Sequence, residues 1–330
     1  MTSRQMQAAV LLLAGLVVTS CAGEPDPPQP APDVAVVENT RGLVLSSGLS
    51  DAGQLGRPAP TSIKTAFGAV TLGSGALVGA VGLAGGDRHS LAVLSDGRVF
   101  AWGANEDGQL GDGTRNFSSV PVPVRAPDGQ PGYLTGVVEV AANSNVSLAR
   151  RHDGTVVAWG REDRGQRGNA GTSADPLLPS VVLDSTGAKA LSGVKAMAAD
   201  GGTELALTVD GKLYGWGDNG YGQIGSTAGK RADLPVLVTD PSGKPLSGVR
   251  AIALGGQHAV AVLDDGRVLA WGRNDTNQLG HGKRTDRKPS FVLAPDGKRP
   301  LTGVTAVSAA EKHTLALLSD GTVVAWGRNS

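Results

Sequence analysis

Every tryptophan in this chain is followed by glycine, and the five of them, Trp102, Trp159, Trp216, Trp271 and Trp326, stand 57, 57, 55 and 55 residues apart. Spacing this regular means a tandem array, in which one structural unit must pack against copies of itself. Around each Trp-Gly the same pattern recurs, most clearly over residues 89–103 and again, almost letter for letter, over 313–327. Apolar residues alternate with small or polar ones on both sides of an Asp-Gly pair that begins at Asp96, Asp153, Asp210, Asp265 or Asp320. That is the pattern of two half-buried strands joined by a tight turn. Asp-Gly suits a type I′ turn, which needs positive φ at both central residues.

Two further apolar runs precede each hairpin, as at 234–238 and 246–256, separated by the turn signal Asp240-Pro241-Ser242-Gly243. Four short strands per unit result. Helical periodicity is not sustained anywhere after residue 20. Repeats of about 40 to 55 residues built from four antiparallel strands are the blades of a β-propeller, so the expected class is all-β. In such an array each tryptophan is read as a core residue between blades, because a structure built by repetition repeats its core.

After each Trp-Gly comes a loop with a grammar of its own: Asn105 with Gly108-Gln109-Leu110-Gly111, Asn219 with Gly222-Gln223-Ile224-Gly225, Asn274 with Gln278-Leu279-Gly280. Together with the Gly-x-x-His strand start, this loop resembles the regulator of chromosome condensation repeat family over residues 43–330. The resemblance implies a β-propeller, seven-bladed in the eukaryotic founder, that exchanges guanine nucleotide on a small GTPase and binds chromatin. The chain departs from that pattern in places. Copy two reads Gln166-Arg167-Gly168 in its loop, and Thr203 stands where other copies have His89, His258 and His313. A histidine that is optional between copies fits a strand residue bonded to a neighbouring loop better than a catalytic base. His152 and His281 carry no metal-ligand spacing. Five full units are present, and residues 43–56 match the last strand and loop of a partial sixth in which Ser47 replaces the tryptophan. Closure by joining the two chain ends and an incomplete seven-bladed ring are both compatible with that count.

The N-terminus is a different text. Arg4 precedes an apolar run from Ala8 to Val18, too short for a permanent membrane span and of the length of a signal peptide. The run ends at Val18-Thr19-Ser20-Cys21, which resembles the bacterial lipoprotein box and would place the lipid on Cys21. Cys21 is the single cysteine, and prolines crowd residues 25–32 behind it. The expected organisation is therefore signal peptide 1–20, Pro-rich tether 21–42 and propeller 43–330. The expected location is the cell envelope, as a membrane-anchored lipoprotein, or outside the cell if no lipid is attached.

Thirty basic residues balance thirty acidic ones, which argues against a nucleic-acid surface by bulk charge. Neither a nucleophile elbow, a phosphate loop, a zinc-protease helix nor a Cys-x-x-Cys pair is found, so no catalytic residue, cofactor or metal ligand is assigned. Asn- and Asp-rich loops such as 274–277 read as turns and lack the carboxylate spacing of a calcium loop. The function expected is a non-catalytic scaffold at the envelope that grips a protein, a glycan or another anionic polymer. One alternative, implied by secreted members of the same family, is an inhibitor capping an enzyme such as a β-lactamase; aromatic hot spots for that role are scattered, at Phe117, Tyr133, Tyr221 and Phe291. A second, exchange activity like that of the founder, is disfavoured because intervals of 55 to 57 residues leave no room for a large inserted element. Candidate partner-binding residues are Arg115, Lys230, Arg231, Lys283 and Arg284, which share a register 12 to 15 residues past their tryptophans. Copy two lacks them there and carries Arg161, Arg164 and Arg167 just upstream.

Overall fold

The computed structural model describes residues 11–13, 16–20, 42–48, 50–57, 64–173, 175–282 and 287–329, so Cys21, Lys283 and Arg284 lie outside the described residues. Apart from a single 3-10 turn at Pro127–Gly129, the regular structure of the described residues is strand, and the chain is all-β. It divides into two compact units, one of Met1–His152, Trp159–Arg161 and Ala174–Pro179, the other of Asp153–Ala158, Glu162–Ser173 and Ser180–Ser330.

In the first unit, Ala80–Gly85, His89–Leu94, Val99–Gly103 and Ser118–Pro123 form a four-stranded antiparallel sheet in chain order. Ahead of it Leu45–Gly48 pairs antiparallel with Lys64–Ala69. Leu11–Leu13 pairs with Leu16–Ser20, which in turn runs parallel to Leu45–Gly48. A hairpin, Val137–Asn143 with Val146–Arg151, follows. The second unit opens with the pairing of Val157 with Val181 and Ala158 with Ser180. Two four-stranded sheets come next, Val194–Asp200 through Arg231–Leu237 and Val249–Gly255 through Ser290–Phe291, then a three-stranded sheet from Val304–Ala309 to Val323–Gly327.

Period-2 side-chain alternation explains how one strand serves two cores. In His258–Leu263, Ala259 and Ala261 join a cluster with Leu205, Leu207, Leu213 and Trp271, while Val260 and Val262 join another with Val304 and Ala316. Both faces of this strand are covered, as each inner sheet of a stack requires. In the last sheet, Leu315, Leu317 and Val323 occupy the repeat positions of Val260, Val262 and Val268 but are 39%, 41% and 59% exposed, since among the described residues of this unit no further sheet lies on that face.

The Asp-Gly turns differ from the type I′ expectation. Gly97, Gly154, Gly211, Gly266 and Gly321 have φ between 77° and 86°, whereas their aspartates are not in the left-handed region. Gly97 N–H donates to the Leu94 carbonyl (2.9 Å) and Leu94 N–H to the Arg98 carbonyl (2.9 Å), which is a type I turn followed by one left-handed residue. Aspartate serves instead as an acceptor: Asp96, Asp153, Asp265 and Asp320 each take the N–H two residues on, at 2.8 to 3.0 Å.

One bond between consecutive copies is made five times. The indole N–H of Trp102, Trp159, Trp216, Trp271 and Trp326 donates to the backbone carbonyl of Gln54, Gln109, Gln166, Gln223 and Gln278, at 2.8 to 2.9 Å. The glycine two residues after each glutamine makes room for the ring. At Gly225, with φ +74°, a Cβ would stand 2.6 Å from Trp271 Nε1. Trp271 is fully buried, whereas Trp326 makes the same bond but is only partly buried. Trp271→Ala should therefore cost about 3 to 5 kcal/mol, as truncation of buried aromatics does, and Trp326→Ala distinctly less. Equal losses in urea unfolding would show that the bond, and not the packing, sets the cost.

Candidate functional site

Strands of a sheet alternate in direction, so connections after its first and third strands share one end and those after its second and fourth share the other. The Trp-Gly loops follow third strands, and the Asp-Gly turns lie at the opposite end. Each Trp-Gly loop is braced from within. The glutamine side-chain carbonyl accepts the backbone N–H two residues earlier, from Ala52, Asp107, Arg164, Tyr221 and Thr276, at 2.7 to 2.9 Å. The loop asparagine adds a second brace: Asn105, Asn219 and Asn274 accept the N–H of Leu110, Ile224 and Leu279 at 2.9 to 3.1 Å. Asn105 and Asn219 also donate to carbonyls farther along their loops.

Copy two has Glu162 in the asparagine's place, and Glu162 Oε2 accepts the Arg167 N–H at 2.6 Å. Burial pushes this carboxyl up to about 7, against the downward pull of the Arg167 N–H and charge and of Arg231; Asp233 adds to the rise. Arg167 itself takes the position of the buried leucine. It is 3% exposed, and its Nη2 donates to Ser180 Oγ at 3.1 Å. The expectation that Arg161, Arg164 and Arg167 together present charge at the loop end is corrected in this respect: a side chain following the Gln carbonyl is drawn into the core whatever its type.

His89 and His258 reach a strand of the following copy and not a loop, whereas His313 is exposed. His89 Nε2 is 2.9 Å from Ser147 Oγ, and His258 Nε2 is 2.9 Å from Thr314 Oγ1. Because Ser147 and Thr314 donate onward to the same Gln109 and Gln278 carbonyls that hold the tryptophans, Nε2 acts as the donor. Thr203, facing a copy whose matching residue is Ala259, donates instead to the carbonyl of Asp218 at 2.8 Å. Burial holds His89 and His258 down to about 4, so both are neutral structural groups. Among the described residues no group of three or more His, Cys, Asp or Glu side chains converges as a metal set.

The sequence-selected cations divide as follows. Arg115 is exposed and donates to the Glu106 carbonyl. Lys230 is exposed, and its backbone carbonyl accepts the Asn219 N–H at 2.9 Å. Arg231 is 3.2 Å from Asp233, and Arg164 is 3.0 Å from the buried carboxylate of Asp218. Phe117 and Tyr133 are 67% and 52% exposed, with Arg125 5.9 Å from the Tyr133 ring. The sequence reading missed one cluster: the guanidiniums of Arg273 and Arg287 lie 5.0 and 5.1 Å from the centre of the Tyr221 ring. Its only signal is positional, an aromatic at the loop position filled elsewhere by Ala52, Asp107, Arg164 and Thr276.

The family model of the RCC1-like domain matches residues 33–330. The ultraviolet-B receptor UVR8 of Arabidopsis thaliana is 31% identical over 298 residues, covering 87% of this chain, which spans 61% of that receptor. Among solved structures, human WBSCR16 matches with a TM-score of 0.68 and 26% identity over 84% of this chain and 68% of its own. Yeast RCC1 (Prp20), solved with Kap60 bound, matches at 0.57 and 25% over 74% of this chain and 55% of its own.

A carboxyl raised by burial adds stability that is fully present below its unfolded value of 4.5 and is lost as pH rises through about 7. The buried histidines act in the other direction, losing stability as pH falls from 6.5 through about 4. Above pH 6.5 the Glu162 effect stands alone of the two. Glu162→Gln should raise the melting temperature over the unsubstituted protein by a margin that widens from pH 6 to pH 8. A margin independent of pH would rule out a protonated Glu162 in the fold.

Proposed function

The chain belongs to the RCC1-like family of regulator of chromosome condensation repeats, and from that premise we propose that it is a non-catalytic, protein-binding propeller held at the cell envelope by a lipid on Cys21. The observation that carries the binding role is the division of labour within each Trp-Gly loop. Its Gln, Gly and Trp contacts repeat unchanged, while the residue at the bend is Ala52, Asp107, Arg164, Tyr221 or Thr276. Variable side chains on a rigid frame are what a recognition surface needs. Yeast RCC1 (Prp20), crystallised with Kap60, is a relative that binds a protein partner. The envelope address rests on the apolar N-terminal run and the box ending at Cys21. In this reading, cleavage before Cys21 removes Leu11–Leu13 and Leu16–Ser20 and leaves Leu45–Gly48 paired with Lys64–Ala69 alone.

Cys21→Ser should move the protein from the detergent phase to the aqueous phase in detergent partition of cell extracts; continued partition with the detergent would sink the lipid anchor. Serine at Arg115, Lys230 and Arg231 together should leave the melting temperature unchanged. The same variant should reduce capture of a partner from envelope extracts, with the larger loss at low salt. Capture that is unchanged at low and at high salt would remove these loop cations from the binding role.

A further inference from the structure

We propose that the turn at 219–222 and the cations gathered on it form the seat for an acidic, Asp/Glu-rich segment of a protein partner. The proposal rests on the protein-binding reading above and names the chemistry of what is bound. Three chain segments meet at this turn. Lys230 arrives through its carbonyl, bonded to Asn219 N–H at 2.9 Å, and Arg287 passes beside Gly222. Arg273 follows Trp271-Gly272 and reaches the Tyr221 ring from there.

In the preceding copy the same bend position holds Arg164, which is neutralised by Asp218, and the neighbouring Arg231 is neutralised by Asp233. At the 219–222 turn a neutral ring stands at the bend; Arg273 beside it is neutralised by Asp275, which leaves Arg287 and Lys230 to carry the charge. Arg273 is held rigid by Asp275 at 2.8 Å and by Gln257 Oε1 at 2.7 Å. Exposed Arg287 and Lys230 have no ion-pair partner among the described residues, although the chain carries equal numbers of basic and acidic groups. Arg287, resting on the Tyr221 ring, keeps its N–H edge available, and that planar edge matches a carboxylate with two parallel hydrogen bonds. Tyrosine and arginine are also enriched among the side chains that concentrate binding energy at interfaces, and tyrosine orders at small entropic cost.

The test is binding of a fluorescent poly-L-glutamate peptide to the full chain, read by anisotropy. Saturable binding at low salt that collapses at high salt is expected. Tyr221→Ala and Arg287→Ala should each weaken it roughly tenfold, Tyr221→Phe should retain it, and Lys212→Ala, at the Asp-Gly end of the same sheet, should leave it unchanged. Melting temperatures of all four variants should match the unsubstituted protein, which separates a lost seat from a lost fold. Equal peptide binding by the unsubstituted protein and both alanine variants would overturn the proposal. Preference for phosphatidylglycerol vesicles over the peptide would overturn it too, in favour of a lipid surface. If the peptide fails to bind while capture from envelope extracts still depends on Arg115, Lys230 and Arg231, the acidic seat falls and the protein-binding reading stands.

Discussion

The bond from an indole N–H to the backbone carbonyl of a glutamine in the preceding copy organises everything else in this protein. A buried indole nitrogen must find an acceptor, and a backbone carbonyl in a loop must find a donor; each copy supplies the one and consumes the other. The bond forms only if the Trp-Gly loop holds one shape. The glutamine side chain closes that shape from inside, the asparagine closes it from the far side, and a glycine leaves space for the ring. A loop that reads as polar and flexible in composition is in fact the most constrained part of the repeat.

Around this bond the copies diverge in compensated pairs. Histidine occurs at the strand start where the next copy offers a hydroxyl, as with His89 and Ser147 or His258 and Thr314, and the hydroxyl passes the bond on to the glutamine carbonyl. Where the next copy offers Ala259, the position holds Thr203, which is satisfied within its own sheet. Copy two is the exception. It replaces the bracing asparagine by Glu162 and the buried leucine by Arg167, and so places a carboxyl and a guanidinium where its sister loops bury an amide and an aliphatic group.

A frame this repetitive separates stability from recognition. The tryptophan, glutamine and glycine contacts repeat in all five copies, so in the proposed protein-binding role specificity would fall to the bend residues and to the cations that flank them. In the second unit two adjoining loop bends differ in character, one closed by the Arg164–Asp218 pair and one carrying the Tyr221 stack, in which Arg273 is paired with Asp275 and Arg287 is not paired among the described residues. Charge balance over the whole sequence conceals that contrast, because it averages over all the loops.

The repeat period, the short strands of the repeat, the burial of Trp102, Trp159, Trp216 and Trp271 and the place of every Asp-Gly turn were determined by the sequence alone. Each of these depends on local spacing or on the period-2 alternation of a strand. Only the tertiary structure decided the partners. The tryptophan bond joins residues 48 or 50 apart, and His89 meets Ser147 across 58. Aspartate turned out to be an acceptor in a type I turn, because the neighbouring glycine alone takes the left-handed conformation. Arg167 reads as one more loop cation, yet it faces the core, and Tyr221 reads as a scattered aromatic until Arg273 and Arg287 are brought to it. Side-chain direction at a loop position is set by which copy packs against it, and that information lies in another repeat.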